Sequence, residues 1–394
     1  MKANLCPAPA DSLNLQAQLP IVQLLSQLVQ TKDPTLFPIV TVHLHSLATL
    51  KHIPTALYTL MNEMLRAFAF RTLPPLQNPR GREFDPGEDD ATLVPAVHWH
   101  TLESAYNLYL TFFNGNVQSN AQFAIDHLEA SRHFSLPWLH ALVALLGSED
   151  PRERRSIILI LHRIYKTLLT GPHRKQIRGI LYGTLIEFHQ SPANCSHCHH
   201  YEGISEILTI FSCLINGFSV PLRKEHLIFF QKALVPLWKS PYLCTYWTPL
   251  LHCTQLFVKR EASASSIECA SFLVAYLLRM WPSAHSQHSL MFLEVLVEVL
   301  LIHINNNGAL GCDLLQSKII GKIVGDCVNN VQYQIAEKAC CVLRMGPVQQ
   351  WIVGNGHLQG VVEALRVAVG RHWNQGVRNA AQVALEGFLG RREG

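Results

Sequence analysis

The sequence predicts an all-α fold, a curved solenoid of stacked helical hairpins, and three observations carry that reading. Apolar residues recur at spacings of three and four instead of two, the segments that hold them are long, and proline and glycine breakers separate them at helix-like intervals. The first fifty residues read as a helical region and residues 51–390 as the solenoid itself. Within it the first helix of each hairpin falls near residues 97, 137, 173, 224, 263, 312 and 356. That irregular period of roughly 40 to 50 residues is the spacing of HEAT or armadillo repeats. A single hairpin leaves an apolar face uncovered, so neighbours must stack to bury it.

The elements justify themselves in order. Ile157, Leu161, Ile164 and Leu168 form one helical stripe, and Ile204, Ile207, Leu208, Phe211 and Ile215 another. Pro137, Asp150-Pro151, Gly171-Pro172, Val220-Pro221, Ser240-Pro241, Trp281-Pro282 and Gly308 punctuate the helices. Two segments break the rhythm. Residues 71–95 hold Pro74, Pro75, Pro79 and Pro86 before the helices resume after Pro95, with the acids Glu83, Asp85, Glu88, Asp89 and Asp90, and read as a long loop whose plain role is a solvated connector. Residues 189–203 are a polar Cys/His-rich insertion between two helices.

Composition narrows the function classes. The 394 residues are 48% apolar, which excludes wholesale disorder, and 32 Lys plus Arg against 28 Asp plus Glu leave a net charge of only +4, too little for a general polyanion binder. The amino terminus lacks the apolar stretch of a secretory signal, and Met291 to Ile304, broken by Glu294 and Glu298, suits a buried helix better than a membrane span. Eleven cysteines without a secreted context read mostly as small buried apolar residues. These features lead us to expect a soluble intracellular protein in a reducing compartment, the cytoplasm with the nucleus as an alternative, with no membrane partner.

Chemistry is sparse. Cys195 and Cys198 have the gap of a zinc-binding pair with His197, His199 and His200 beside them, but a structural site normally draws a second pair from elsewhere, so no metal ligand is assigned and no cofactor is expected. No phosphate loop, zinc-protease helix or nucleophile elbow is present, and no catalytic residue is assigned. Polar character concentrates between Asp150 and His226. From Arg152 to Arg178 stand eight cations, at 152, 154, 155, 163, 166, 174, 175 and 178, with Glu153 the only acid, which predicts a cationic groove. With Leu161 and Ile164 inward, His162, Arg163 and Lys166 point away from the core and Tyr165 sits at the border. Ile210 and Leu214, one turn apart, flank the neighbouring stripe, and Pro221 opens a helix that presents Arg223 and His226 at its anion-favouring start. An extended peptide with two aliphatic side chains followed by a carboxylate complements this set. From periodicity alone the same positions also fit ordinary surface and core residues.

Several words of the sequence resemble the B-prime regulatory subunits of protein phosphatase 2A. They are Phe70 to Pro75 with Glu83 to Pro86, Ser148 to Arg154, Leu161 to Tyr165, Arg174 to Ile177, Ile215 to Phe218 with Pro221-Leu222, Trp281-Pro282 with His285-Ser286, and Met291 to Leu293. Their order and spacing follow the family over roughly residues 55 to 300; beyond 304 only Ala336 to Ala339 and His372 to Asn374 remain. The resemblance implies a HEAT-like superhelix without catalytic activity, docked on the phosphatase scaffold and catalytic subunits and recruiting substrates through short Leu-x-x-Ile-x-Glu motifs. It implies that the motif groove is formed by His162, Arg163, Tyr165, Ile210, Leu214, Arg223 and His226. Ile210, Leu214 and Tyr165 would make the apolar hollows, Arg223 and His226 would hold the acidic group, and His162 with Arg163 would grip backbone and nearby negative charge.

This chain departs from the family's pattern at the stretch Thr170 to His173, two residues short and lacking an Arg that the family supplies for acidic positions, with His173 or Arg174 as substitutes. The insertion and the divergent last third bear on docking to the other subunits. The competing reading is a helical-repeat nucleic-acid binder or adaptor that uses the basic stripe 152–178, against which the small net charge argues; no nucleic-acid partner is expected.

Overall fold

The computed structural model describes residues 10–47, 55–73, 96–116, 134–168, 171–190, 203–264, 266–305 and 312–390. The acidic stretch Glu83 to Asp90, Gly308 and the Cys195/Cys198 cluster lie outside them. The described residues are helical with no strand, and they divide into two compact units, 1–210 and 211–394.

The first unit contains α1 (Ala10–Thr31), α2 (Phe37–Leu47), α3 (Thr55–Phe68), α4 (Ala96–Asn116), α5 (Leu136–Ala144), α6 (Pro151–Arg163), α7 (Gly171–Gln190) and most of α8 (Ile204–Ile215). Helices two apart in sequence pack together, α1 on α3, α2 on α4 and α5 on α7, as stacked hairpins require. The expected stripes are inward: Ile157, Leu161 and Ile164 are buried, as are Ile204, Ile207, Leu208, Phe211 and Ile215. Leu168 falls among side chains outside the described set. An aromatic cluster fills the space between α3, α4 and α5. In it Tyr109 packs edge-on against Phe113 at 4.8 Å and stacks on Trp138 at 6.2 Å, while Phe70 tilts onto Trp138 at 5.4 Å. The polar tips of this cluster are satisfied by one residue, Asn62, whose side-chain oxygen accepts from the Tyr109 hydroxyl at 2.6 Å and whose carbonyl accepts from the Trp138 indole at 3.3 Å. Gly203, at the foot of α8, is required by close approach, since a Cβ there would lie 2.6 Å from the Leu146 carbonyl oxygen.

The word Ser148 to Arg154 is a helix start welded into this unit. Asp150 is the N-cap of α6 and accepts from the Arg152 amide at 2.9 Å, and Pro151 occupies the first turn where its missing N–H costs nothing. Arg152 returns to the Asp150 carboxylate at 2.8 Å and lies 4.3 Å over the Trp99 ring. Arg154 donates to the carbonyls of Ser148 and Glu149 and to Glu206 of α8 at 2.9 Å. Glu153 is fully buried between Arg71, which bonds both its oxygens at 2.6 Å, and the Tyr106 hydroxyl at 2.7 Å. The carboxylate keeps Arg71 firmly charged, while burial, then Glu153, pushes the Tyr106 phenol far up, so Tyr106 stays a donor.

The second unit continues with α9 (Lys224–Phe229), α10 (Leu243–Ala262), α11 (Glu268–Arg279), α12 (Ser286–Asn305), α13 (Cys312–Lys322), α14 (Tyr333–Leu343), α15 (Gly346–Gly354), α16 (Leu358–Arg371) and α17 (Gln375–Leu389). Again α10 packs on α12 and α12 on α14. By length and composition α12 is apolar enough to cross a membrane, but 61% of its apolar window is buried against its own unit, with Met291, Phe292 and Leu293 all inward. Glu261, buried near the end of α10, accepts from the backbone N–H groups of Cys269 at 2.7 Å and Ala270 at 3.0 Å and so caps α11 from a neighbouring helix. Cys253, Cys269, Cys327 and Cys340 are buried thiols, and burial pushes Cys327 and Cys340 up to about 12; Cys213 and Cys244 are exposed.

The Glu153 cluster makes an asymmetric prediction. Arg71→Met strands a buried carboxylate with one hydroxyl partner and is expected to cost about 3 kcal/mol or more, whereas Glu153→Gln leaves a cation that is one-third exposed and able to reach water, at about 1 to 2 kcal/mol. Urea denaturation of the two variants measures the difference; an equal or reversed order would refute the assignment of Glu153 as the desolvated partner.

Candidate peptide-binding surface

His162 and Arg163 are the last two residues of α6, and both are half-buried. The helix then passes into a π turn, Ile164–Leu168, which carries Tyr165. A single wide turn changes which face the following side chains occupy, and such turns recur where a helix must aim a particular residue. Tyr165 is fixed from two sides: its hydroxyl accepts from Arg178 of α7 at 2.8 Å, and Arg174 donates to its carbonyl at 3.1 Å with the guanidinium 5.6 Å from the ring centre. Burial, then the charges of Lys166 and Arg163, lowers the His162 pKa, so its imidazole is neutral at pH 7 and offers one donor and one acceptor.

Ile210 and Leu214 lie one turn apart on α8 and therefore share a face. Ile210 is only 4% exposed, while Leu214 is half-buried and presents more surface. The sequence pattern predicts that Pro221 opens the next helix; instead α9 starts at Lys224 with Arg223 as the N-cap in extended backbone. The cap is made by a side chain further in, because the Arg223 N–H donates to Nδ1 of His226 at 3.3 Å. That bond uses Nδ1 as acceptor and leaves Nε2 to carry the proton. The His226 ring lies flat on Phe218, 3.9 Å between centroids and 4° between planes. Phe218 is itself held by Arg260, which donates to the Phe218 carbonyl at 2.6 Å and also bonds the Asn216 carbonyl.

Of the seven sequence-assigned residues, His162, Arg163, Tyr165 and Ile210 belong to the first unit, and Leu214, Arg223 and His226 to the second. Structure places His162, Arg163 and Tyr165 within one stretch of four residues, Ile210 and Leu214 one turn apart on α8, and Arg223 and His226 at the start of α9. Sequence reasoning missed the supporting residues Arg178, Arg174, Phe218 and Arg260. Two of these lie in the basic stripe and one in the word Ile215 to Phe218, but nothing in periodicity shows that a cation serves a tyrosine.

The cations of the stripe expected to form a groove differ in their partners. Arg152 and Arg154 are neutralised by Asp150 and Glu206, and Arg174 and Arg178 turn to Tyr165; Arg155, Lys166 and Lys175 are the exposed cations of the stripe. Alternating buried and exposed positions along α6 and α7 divide the stripe between the interior and the surface. A single-stranded nucleic acid engaging all eight cations would give a salt slope of about −6, so any retention on single-stranded nucleic acid is expected to show a slope magnitude below about 3. A slope steeper than about 5 would restore the nucleic-acid reading.

The fold is that of an all-helical repeat protein. Residues 25–390 match the model of the protein phosphatase 2A regulatory B subunit (B56 family), and the chain belongs to that family. It is 31% identical over 349 residues to the human serine/threonine-protein phosphatase 2A 56 kDa regulatory subunit delta isoform, covering 86% of this chain and 52% of that protein. It is 30% identical to the human beta isoform, covering 83% of this chain and 60% of that protein. It is also 30% identical to the epsilon isoform of the 57 kDa B-prime regulatory subunits of Arabidopsis thaliana, covering 84% and 63%. The chain thus spans about half to three fifths of the length of these curated relatives.

Proposed function

We propose that this chain is a non-catalytic regulatory subunit of a heterotrimeric serine/threonine phosphatase, protein phosphatase 2A. It docks on the scaffold and catalytic subunits and recruits substrates through short Leu-x-x-Ile-x-Glu motifs in flexible partners, acting in the cytoplasm with the nucleus as an alternative. The observation that carries the reading is the family match across residues 25–390, which includes every residue assigned to the groove. Ile210, Leu214 and Tyr165 receive the two aliphatic side chains, Arg223 and His226 the carboxylate, and His162 with Arg163 the peptide backbone and nearby acids.

Two features support these roles physically. Tyr165 reaches the peptide already held by Arg178 and Arg174, so little rotamer freedom is lost on binding. His226, stacked on Phe218 and bonded at Nδ1, is held in one ring orientation with Nε2 beside the Glu225 carboxylate at 3.9 Å. The shortened stretch before Arg174 removes one cation from the acidic end. Arg174 compensates poorly because its guanidinium already bonds the Tyr165 and Lys166 carbonyls.

Arg163→Glu is expected to weaken a Leu-x-x-Ile-x-Glu peptide by about 2 kcal/mol or more, roughly thirtyfold, with helical content unchanged. Calorimetric titration checks it, and wild-type affinity in the variant would remove the groove assignment. Docking is tested separately: the chain purified from its own cells is expected to bring scaffold and catalytic subunits in near-equal amounts. A preparation free of both would overturn the regulatory reading whatever the peptide result.

A further inference from the structure

The end of α10 reads Lys259-Arg260-Glu261-Ala262-Ser263, a serine preceded at three and four residues by cations. Kinases that select substrates by charge pattern read an arginine at that spacing, because an acidic cleft in the enzyme receives the guanidinium. Ser263 is the exposed C-cap of α10, and its hydroxyl donates to the Lys259 carbonyl at 2.9 Å. The last turn of a helix opens at less cost than its middle, which lets such a segment extend into a kinase cleft.

The charged side chains of this turn have separate tasks. Glu261 is buried and caps α11 through the Cys269 and Ala270 amides. Lys259 is exposed. Arg260 crosses to the stretch before α9, where it donates to the Phe218 carbonyl at 2.6 Å and to the Asn216 carbonyl. Phe218 is in turn the platform on which the His226 ring lies, and its own ring meets Phe257 of α10 edge-on at 5.8 Å. One guanidinium therefore ties the end of α10 to the support of His226, and it does so through neutral acceptors.

We infer that Ser263 is a phosphorylation site whose phosphate draws Arg260 from the Asn216 and Phe218 carbonyls and so loosens the support of His226. In the transfer, Ser263 Oγ bonds to the γ-phosphorus of a nucleoside triphosphate, the bond to the bridging oxygen breaks, the nucleoside diphosphate leaves with that electron pair, and the hydroxyl proton passes to the kinase's base. The product carries about two negative charges and three acceptor oxygens. It stands one helical turn from both Lys259 and Arg260, the separation at which helical side chains meet. A phosphate attracts a guanidinium more strongly than neutral carbonyls do. At a helix C-terminus the new charge also opposes the dipole, which weakens the last turn further. The site stands apart from the phosphatase reading; only its effect on peptide affinity rests on that reading.

The test treats the full chain with ATP and a purified cyclic-AMP-dependent kinase, maps the phosphate by mass spectrometry and follows amide hydrogen exchange. Phosphate is expected at Ser263 and is lost at that position in Ser263→Ala. Amides of residues 216–223 are expected to exchange at least about tenfold faster in the phosphorylated chain, with those of α14 to α17 unchanged. Arg260→Gln is expected to give the same acceleration without phosphate. A Leu-x-x-Ile-x-Glu peptide is expected to bind the phosphorylated chain about tenfold more weakly. No phosphate at Ser263, or unchanged exchange at 216–223 once it is there, would overturn the proposal. If the unmodified chain binds no such peptide, the motif reading fails while mapping and exchange still decide this one.

Discussion

The buried carboxylate of Glu153 is the constraint from which the first unit is organised. It has no contact with water, so it must be met by charge and hydrogen bonds wherever the chain goes. Arg71 comes from the exit of α3, Tyr106 from the middle of α4, and Glu153 itself from the first turn of α6. Three elements are therefore located relative to one atom group, although Arg71 and Tyr106 stand 82 and 47 residues from it in sequence. Because α6 is a continuous helix of 13 residues, fixing its first turn also fixes its last, where His162 and Arg163 stand. Removing a buried charge partner would thus disturb the placement of His162 and Arg163 as well as the stability, even though Arg71 and Glu153 stand at the other end of the helix.

The polar words of the sequence divide between two tasks. Ser148 to Arg154 spends its charged side chains on its own helix cap, on Arg71 or on Glu206. His372 to Asn374 does the same at the far end: His372 bonds the Asn330 carbonyl at 2.9 Å, Trp373 the Val331 carbonyl at 2.9 Å, and Asn374 caps α17. By contrast, Leu161 to Tyr165 and the residues around Arg223 leave polar atoms at the surface, supported from beneath by Arg178 and Phe218. Words rich in Arg and Asp are not a guide to function here, because their charges are largely consumed in building the helices that carry the site.

Helix positions and inward stripes are legible because they depend on local periodicity. The hairpin starts expected near 97, 137, 224 and 312 stand at 96, 136, 224 and 312. The start expected near 263 stands at 268, since Ser263 and Ala264 form the turn that closes α10 and Glu261 caps the next helix at Cys269 and Ala270. Pro221 is ambiguous in sequence because a proline before a helix is as compatible with a preceding turn as with the first helical position, and the true cap bond comes from His226. The stripe of eight cations is legible as composition but not as electrostatics. Whether an arginine faces water depends on partners such as Glu206, 52 residues away, which periodicity does not reveal.

The bracing of Tyr165 bears on the proposed recognition of short peptides. A tyrosine at a helix end has two free torsions, and ordering it on binding would consume free energy of the order of a hydrogen bond. Here that ordering precedes binding, through Arg178 at the hydroxyl and Arg174 at the carbonyl, both from the helix that follows. The π turn supplies the register that brings the tyrosine within reach of both. Helix-to-helix bonds of this sort are available only where two helices run side by side, which every hairpin provides. The same arrangement has a cost: an arginine used as a brace is less available as a ligand. At Arg174 the chain commits its guanidinium to the Tyr165 and Lys166 carbonyls, which leaves it fewer donors for an acid in the proposed groove.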